Sequence, residues 1–180
     1  MSYHGAIFAG FGGQGVMLMG QVLSLAGMID NKHVTWIPSY GPEMRGGTAN
    51  CTVVIDTQSI GSPVVDQPDE VIAMNNPSLA KFEPSIRKNG ILILNTSVID
   101  QKPKRKDIHV IEVKANEIAD QLGNPKVANM VILGAYIHAT KAVSRSSLEQ
   151  ALETKLGSKK GHLVEVNMKA IDEGMKAATQ

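Results

Sequence analysis

The chain is almost without cysteine, since Cys51 is the only one among its 180 residues. One thiol cannot form an intramolecular disulfide, ligate an iron–sulfur cluster alone or supply a multi-cysteine zinc site. The five histidines share no metal-ligand spacing. No metal site is therefore predicted in this chain, and any redox centre that works with it must be held elsewhere. Cys51 itself is expected to be a small buried hydrophobic residue.

Neither sign of charge dominates, because eighteen basic residues stand against seventeen acidic ones and give a formal net charge of +1. This balance predicts neither nucleic acid nor a membrane surface as a partner. No apolar run approaches the roughly 18 residues of a membrane span, and the first residues lack the basic and apolar segments of a signal peptide. A reducing cytoplasm is the expected location.

Aromatic residues are also scarce, at 4% of the chain, whereas glycine (17) and methionine (9) are plentiful. Such a composition packs through aliphatic side chains, as helices on a sheet often do. Continuous apolar runs predict four buried parallel strands, at residues 6–9, 71–74, 91–94 and 108–113. Stretches with β-branched residues predict two more strands, at 33–37 and 48–55.

Helices are predicted between and after these strands, at residues 16–29, 76–87, 115–122 and 127–143. A further helix should begin at Ser146, with this serine as its cap. A last helix carries an apolar stripe that belongs either to the core or to a partner contact: Val164, Met168, Ile171 and Met175. The predicted fold class is α/β: a Rossmann-like three-layer sandwich, with a mostly parallel sheet, helices on both faces and a helical C-terminal third.

A glycine-rich loop joins the first strand to the first helix. Gly10, Gly12 and Gly15 follow the spacing that places an anion at a helix N-terminus. Residues 35–38 lack the acid that a nicotinamide site uses to hold the ribose, and Val16 stands where a Walker loop has lysine. The pattern thus leaves two readings open, a tight packing turn and a diphosphate site.

A second loop, at residues 38–47, is dense in residues that bend the backbone and yet carries Tyr40, Glu43 and Arg45. Arginine offers a rigid fork for phosphate or carboxylate, and Gly46 and Gly47 would allow a ligand to approach the backbone. The plain alternative is a surface loop with a Glu–Arg pair. Because this loop follows the second strand, we expect it at the same carboxyl edge of the sheet as the glycine loop.

Together, the glycine loop at 10–15 and the Ser-Tyr-Gly-Pro-Glu-Met-Arg-Gly-Gly segment at 39–47 resemble the gamma subunit of 2-oxoacid:ferredoxin oxidoreductases. The second motif looks most like the 2-oxoglutarate or branched-chain branch, and less like the pyruvate branch. The resemblance implies one gamma-type domain over residues 1–180. It also implies an oxidative decarboxylation, with 2-oxoglutarate favoured over pyruvate and ketoisovalerate, acyl transfer to coenzyme A and electrons passed to ferredoxin.

The same resemblance implies that this chain is inactive alone. It has no Gly-Asp-Gly motif for thiamine diphosphate and too few cysteines for a cluster, so thiamine diphosphate, magnesium and iron–sulfur clusters are expected in partner subunits. The chain would complete the complex, meet ferredoxin only indirectly and contribute to the coenzyme A site; once isolated it could pair with a second copy. The alternative is a free-standing Rossmann-like nucleotide-binding module or nicotinamide-dependent oxidoreductase.

No catalytic and no metal-binding residue is predicted. The predicted cofactor-binding residues, with coenzyme A as the ligand implied by the resemblance, are those of the two loops: Gly10, Gly12, Gly13, Gln14, Gly15, Ser39, Tyr40, Gly41, Glu43, Arg45, Gly46 and Gly47.

Overall fold

The first strand, β1 (His4–Phe11), lies inside a six-stranded sheet in the computed structural model, which describes residues 3–39, 48–157 and 161–179. The other strands are β2 (His33–Ser39), β3 (Thr48–Asp56), β4 (Glu70–Ala73), β5 (Ile91–Asn95) and β6 (His109–Val113). Their order across the sheet is β2-β3-β1-β4-β5-β6. β1, β4, β5 and β6 are parallel neighbours, so the four predicted parallel strands are confirmed.

The sheet departs from a simple parallel order at β3. This strand pairs antiparallel with β1 on one side and with β2 on the other, and it therefore separates them. The cause lies in chain length: only residues 40–47 connect β2 to β3, whereas a parallel crossover needs a dozen or more residues. β2 and β3 therefore form antiparallel neighbours at one side of an otherwise parallel sheet.

Six helices are described: α1 (Val16–Ile29), α2 (Asn76–Phe82), α3 (Ala115–Gln121), α4 (Ala128–Thr140), α5 (Arg145–Leu156) and α6 (Gly161–Ala177). The first has the predicted bounds, and the last three form the helical C-terminal third. α2 ends earlier than predicted, at Phe82, and a 3₁₀ turn over Glu83–Ser85 follows it. Proline at 84 lacks the N–H that an α-helix would need there.

The fifth helix begins two residues before the predicted start. Ser144 is its N-cap and accepts a hydrogen bond from the backbone N–H of Ser147 at 3.1 Å. Asp30, at the end of α1, accepts hydrogen bonds from the hydroxyl and the backbone N–H of Ser144. A serine caps this helix, as predicted, but the cap is Ser144 and not Ser146, because Asp30 holds Ser144 in place.

Alternate side chains of the strands divide the core into two layers. Phe8 and Ile72 face the larger layer, which α1, α3, α4, α5 and α6 complete. Ile7 and Val71 face the smaller layer, which contains Leu79 of α2 and segments around the β5 strand. Helices therefore cover both faces of the sheet, as predicted, although five of the six described helices pack on one face.

The C-terminal helix packs closely against α4. A Cβ atom at Gly134 would overlap the carbonyl oxygen of Ile171, and a Cβ at Gly174 would overlap that of Val131. The two backbones thus touch where these glycines meet. This contact buries the predicted apolar stripe of α6 within the chain, with Met175 only partly covered, so the stripe belongs to the core. Within the described residues, no helix has both the length and the apolar character needed to cross a membrane.

Candidate functional site

Five strands end at one edge of the sheet, where the predicted site was expected. β4, β5 and β6 run parallel to β1, and β2 runs the same way because both are antiparallel to β3. Ser39 at the end of β2 pairs with Asn50, which pairs in turn with Ala9 of β1. The strand ends that lead into the two predicted loops therefore lie at the same edge, separated by the width of β3.

The glycine loop after β1 is a tight turn. The N–H of Gln14 donates to the carbonyl of Phe11 at 3.1 Å. Gly13, at the third position of the turn, has φ +94°, whereas Gly12 does not have a positive φ. This is the pattern of a type II turn, in which the third residue must be glycine or nearly so. Gly13 is exposed, with nothing within 4 Å of a Cβ placed on it.

Gln14 binds the protein rather than solvent. Its Oε1 accepts hydrogen bonds from the N–H of Phe11 at 2.7 Å and from Nδ2 of Asn75 at 3.3 Å. Its Nε2 donates to the carbonyl of Met74 at 2.9 Å. The side chain therefore closes the turn and ties it to the end of β4, so it positions the loop.

Gly10 and Gly15 are glycines for different reasons. A Cβ at Gly10 would lie 2.7 Å from Oε1 of Gln14 and 2.9 Å from Cβ of Met74. Gly15 has φ +77°, and a Cβ there would overlap the side chain of Asn129, whose Nδ2 donates to the carbonyl of Gly15 at 3.3 Å. Gly10 thus serves close packing, while Gly15 serves both backbone conformation and contact with α4.

Gly15 is also the N-cap of α1, and no side chain among the described residues caps that helix by a hydrogen bond. The first turn carries no acid either. Free N–H groups and the helix dipole favour negative charge at such an end. Both readings of the glycine loop, tight turn and anion site, are therefore compatible with its geometry.

A small cavity of about 160 Å³ adjoins this loop. We call it the amide pocket, because most of its polar lining is carboxamide. Its lining residues are Gly13, Gln14, Met74, Asn95, Asn116, Pro125, Lys126, Ala128 and Asn129. Of these, Lys126 alone is cationic and none is acidic. The pocket combines hydrogen-bonding carboxamides with one exposed positive charge.

Hydrogen bonds within the protein hold three of the carboxamides, which come from the end of β5 and from the first turns of α3 and α4. Buried Asn95 at the end of β5 donates through Nδ2 to Oδ1 of Asn116 at 2.8 Å, and its Oδ1 accepts from the N–H of Ala115 at 3.2 Å. Asn129 accepts through Oδ1 from the N–H of Met130 at 3.0 Å. The bonds of Asn95 connect β5 to α3, and Asn129 is held within α4 and at the glycine loop, so the side chains of the pocket wall are fixed by the fold.

Cys51 lies on the face of β3 that α1 covers. It is fully buried, and its thiol donates to the carbonyl of Val16 at 3.5 Å. Burial raises the pKa of Cys51 to about 11, so the reactive thiolate is not formed near neutral pH. The prediction of a buried small residue is confirmed. Within 3–39, 48–157 and 161–179, no group of three or more His, Cys, Asp or Glu side chains could hold a metal ion.

The structure describes six of the twelve predicted site residues. Gly10, Gly12, Gly13, Gln14 and Gly15 form the turn at the carboxyl edge, and Ser39 ends β2 at that edge with an exposed side chain. The other predicted site residues lie outside the described residues: Tyr40, Gly41, Glu43, Arg45, Gly46 and Gly47. Contact of any of these residues with a cofactor stays a prediction.

Sequence reasoning missed four polar residues of the pocket lining: Asn95, Asn116, Lys126 and Asn129. A signal for two of them was present. Asn95 directly follows the apolar run of β5, and Asn129 is the one polar residue in the first turn of an otherwise apolar helix. Asn116 and Lys126 carry no comparable signal, because only the topology brings them to the edge.

The sequence matches the family described as pyruvate ferredoxin/flavodoxin oxidoreductase over residues 5–177. The chain belongs to this family. Among curated members it is 38% identical over 167 residues to the ketoisovalerate oxidoreductase subunit VorA of Methanothermobacter marburgensis, covering 92% of this chain and 34% of the relative. It is 33% identical over 175 residues to the 2-oxoglutarate synthase subunit KorC of Methanocaldococcus jannaschii, covering 96% and 92%. The chain thus spans about a third of one relative and nearly all of the other.

Solved structures of family members share the fold. The gamma subunit of a keto/oxoacid ferredoxin oxidoreductase from Geobacter sulfurreducens matches with a TM-score of 0.86 and 26% identity, over 99% of this chain and 98% of that one. The 2-oxoglutarate:ferredoxin oxidoreductase of Magnetococcus marinus, solved with 2-oxoglutarate, coenzyme A and succinyl-CoA, matches with a TM-score of 0.90 and 21% identity, over 99% of this chain and 31% of that one. Both likenesses confirm the predicted α/β fold class. The Geobacter match and the family model confirm the resemblance to gamma subunits.

Proposed function

We propose that this chain is the gamma-type subunit of a multi-subunit 2-oxoacid:ferredoxin oxidoreductase, which decarboxylates a 2-oxoacid oxidatively and transfers the acyl group to coenzyme A. The observation that carries the proposal is the family match over residues 5–177. A relative of similar length, of which the chain covers 92%, is named as a subunit of 2-oxoglutarate synthase. The single domain predicted over residues 1–180 and the cytoplasmic location remain predictions.

The chain's part in this reaction is binding rather than chemistry. Its one cysteine is buried with a raised pKa, and the amide pocket has no acid among its lining residues that could act as a general acid or base. Thiamine diphosphate, magnesium and iron–sulfur clusters are therefore assigned to partner subunits. Isolated, the chain should not turn over a 2-oxoacid.

Coenzyme A is the ligand that the carboxyl edge suits best. The uncapped N-terminus of α1 and the exposed Lys126 could bind its phosphates, and the carboxamides of the amide pocket could bind amide or adenine groups. Arg45 is proposed as a second phosphate contact from the loop after β2. The Magnetococcus protein, part of which has the same fold, was solved with coenzyme A, which supports coenzyme A as the ligand proposed here.

The favoured 2-oxoacid is 2-oxoglutarate. The motif at residues 39–47 is similar to that branch, and one relative is named for 2-oxoglutarate. Another is named for ketoisovalerate. Because the substrate pocket is expected largely in other subunits, the choice between these acids is a property of the complex.

The sheet order argues against a nicotinamide-dependent enzyme. In the dinucleotide fold, the acid that holds the ribose ends the strand next to β1. Here β3 separates β2 from β1, and β2 ends with Pro38 and Ser39 instead of an acid. The glycine loop therefore lacks the neighbour that a nicotinamide cofactor requires.

Anaerobic purification of the tagged chain from its own cells tests the proposal. It should bring down a thiamine-binding chain and a cluster-bearing chain, and the eluate should reduce ferredoxin with 2-oxoglutarate faster than with pyruvate or 2-oxoisovalerate. The proposal fails if the purified chain alone oxidises a substrate with a nicotinamide cofactor.

A further inference from the structure

The last strand of the sheet leaves one long side unpaired. Within the described residues, β6 pairs only with β5, as a parallel neighbour. The N–H of His109 donates to the carbonyl of Gly90, and the carbonyl of Val113 accepts from the N–H of Thr96. Since successive residues direct their backbone polar groups to opposite sides of a strand, Val110 and Glu112 direct theirs to the outer side. These two residues offer two donors and two acceptors to an incoming strand.

A groove runs along one face of this free edge. Its volume is about 460 Å³, and its lining residues are Lys102, Pro103, Arg105, Lys106, Ile108, Val110 and Glu112. Arg105 is committed to Asp107, through Nε at 2.9 Å and Nη2 at 2.6 Å. Within the part of the chain that the structure describes, neither Lys102 nor Lys106 forms an ion pair, and both are exposed. Glu112 is the one acid in this lining, so the two free lysines leave the groove with a net positive charge.

A second groove, of about 420 Å³, lies on the face of the sheet that α6 covers and reaches the same edge. Its lining residues are Val110, Ile111, Glu112, Ala177 and Ala178. Small and aliphatic side chains dominate this lining. An added strand points alternate side chains to opposite faces, so one set would enter the basic groove and the other the aliphatic groove.

We propose that the outer edge of β6 binds an extended segment of a partner protein by strand addition, and that this segment alternates acidic with small aliphatic residues. The backbone groups of Val110 and Glu112 supply the sheet hydrogen bonds. Lys102 and Lys106 select acidic side chains on one face, and the groove beside Ala177 accepts aliphatic ones on the other. Recognition of this kind draws affinity from the main chain and specificity from alternate pockets.

Charge favours such a partner over a second copy of the chain. A second copy would place its own Lys102 and Lys106 on the same face of the joined sheet and would add only Glu112 as an acid. A partner segment that carries acidic residues and no lysine would balance the positive charge of the basic groove. This surface is separate from the glycine loop and the amide pocket, so the inference stands or falls independently of the coenzyme A assignment.

The test uses the full chain and a fluorescein-labelled peptide of about six residues in which glutamate alternates with valine. Fluorescence anisotropy should show saturable binding that weakens as salt increases. Two control peptides are matched to the probe: one carries lysine in place of glutamate, and one is N-methylated at the amides that would donate to β6. Each should bind at least about tenfold more weakly. The N-methylated control tests strand addition without altering the protein.

Substitutions on the chain complete the test. Val110→Pro removes an outward N–H from an edge strand, where proline is tolerated, and should weaken peptide binding with an unchanged circular dichroism spectrum. The double variant Lys102→Glu/Lys106→Glu should lose binding, whereas Lys155→Glu on α5 should retain it. Equal binding of the N-methylated and parent peptides would overturn the proposal. So would a homodimer, seen by sedimentation, that Val110→Pro dissociates, because the edge would then belong to a second copy.

Discussion

Nε2 of Gln14 donates a hydrogen bond to the main-chain carbonyl of Met74 at 2.9 Å, joining the glycine loop after β1 to the end of β4. Through Oε1 the same carboxamide holds the N–H of Phe11 at 2.7 Å. The shape of the loop thus depends on one side chain that turns toward the protein. We therefore expect Gln14 to set the position of the free N–H groups at the start of α1.

Replacement of Gln14 should therefore act on binding through the loop. Gln14→Ala leaves the carbonyl of Met74 and the N–H of Phe11 without their side-chain partner, which should lower the free energy of unfolding by about 1–3 kcal/mol. In the assembled complex, the coenzyme A concentration for half-maximal rate should rise. Urea denaturation and initial rates measure the two effects, with Gln150→Ala on the exposed face of α5 as the matched control. An unchanged coenzyme A dependence in a destabilised variant would contradict the positioning role.

The proposed phosphate contacts predict a separate pair of effects. Arg45→Ala and Lys126→Ala should each raise the half-saturating coenzyme A concentration of the complex by about tenfold, because each removes a charge-assisted contact. Lys88→Ala removes an exposed cation just before β5, at the opposite edge of the sheet, and should change nothing. If all three variants respond alike to coenzyme A, this part of the proposal is wrong.

Gly15 and Gly13 both have positive φ, but only Gly15 meets a neighbour. Alanine at either position should cost about 1–2 kcal/mol for the left-handed backbone. Gly15→Ala should cost about 1–3 kcal/mol more, because its Cβ would overlap Asn129. Thermal or urea unfolding of both variants measures the difference. In the background of Asn129→Ala, the extra cost at Gly15 should largely disappear; if it persists, contact with Asn129 is not its cause.

The free energy of unfolding should depend on pH through the buried carboxyl group of Glu70. Its carboxylate is buried at the start of β4, 3.0 Å from Nδ1 of His4, and burial raises the pKa of Glu70 above the ordinary 4.5 even though His4 lowers it. The folded state therefore holds this proton more tightly than the unfolded state. The resulting stabilisation is complete below pH 4.5 and is lost as the pH rises through the raised pKa.

Glu70→Gln removes this titration and provides the measurement. The stability of the wild-type chain relative to this variant should fall as the pH is raised from about 4.5 toward neutrality. Glu165→Gln is the control, since Glu165 is exposed on α6 and pairs with Lys169 at 2.7 Å, so its substitution should change stability little. A difference between wild type and Glu70→Gln that stays constant with pH would show that Glu70 does not titrate as described.

Local patterns in the sequence predicted the positions of helices and strands better than they predicted which strands pair. The helix at 16–29 and the four parallel strands followed directly from apolar runs. The antiparallel pairing of β3 was also encoded, since residues 40–47 are too few for a parallel crossover, but β-branched composition alone does not report pairing. The predicted helix at 76–87 ran too far, although Pro84 is a local signal for the end of α2 at Phe82, because proline lacks the N–H that a helix needs.

In the candidate site too, the part formed by one segment of sequence could be predicted and the part formed by distant segments could not. The glycine turn could be predicted because its glycines lie within six residues of sequence, where Gly13 and Gly15 meet a backbone requirement and Gly10 allows close packing. The amide pocket could not, because Asn95, Asn116 and Asn129 come from three segments that meet only through the sheet order and the placement of α4. The hydrogen bond from Asn129 to Gly15, which spans 114 positions along the chain, has no counterpart in local sequence.

The central claim is that this chain serves a coenzyme A-dependent 2-oxoacid:ferredoxin oxidoreductase as a subunit that is inactive alone. The most direct measurement is ferredoxin reduction by the partner subunits under anaerobic conditions, with 2-oxoglutarate and coenzyme A, in the absence and presence of this chain. The account predicts that coenzyme A-dependent reduction appears only when the chain is added, and that the chain without its partners is inactive. Full activity of the partner subunits without the chain would contradict the claim.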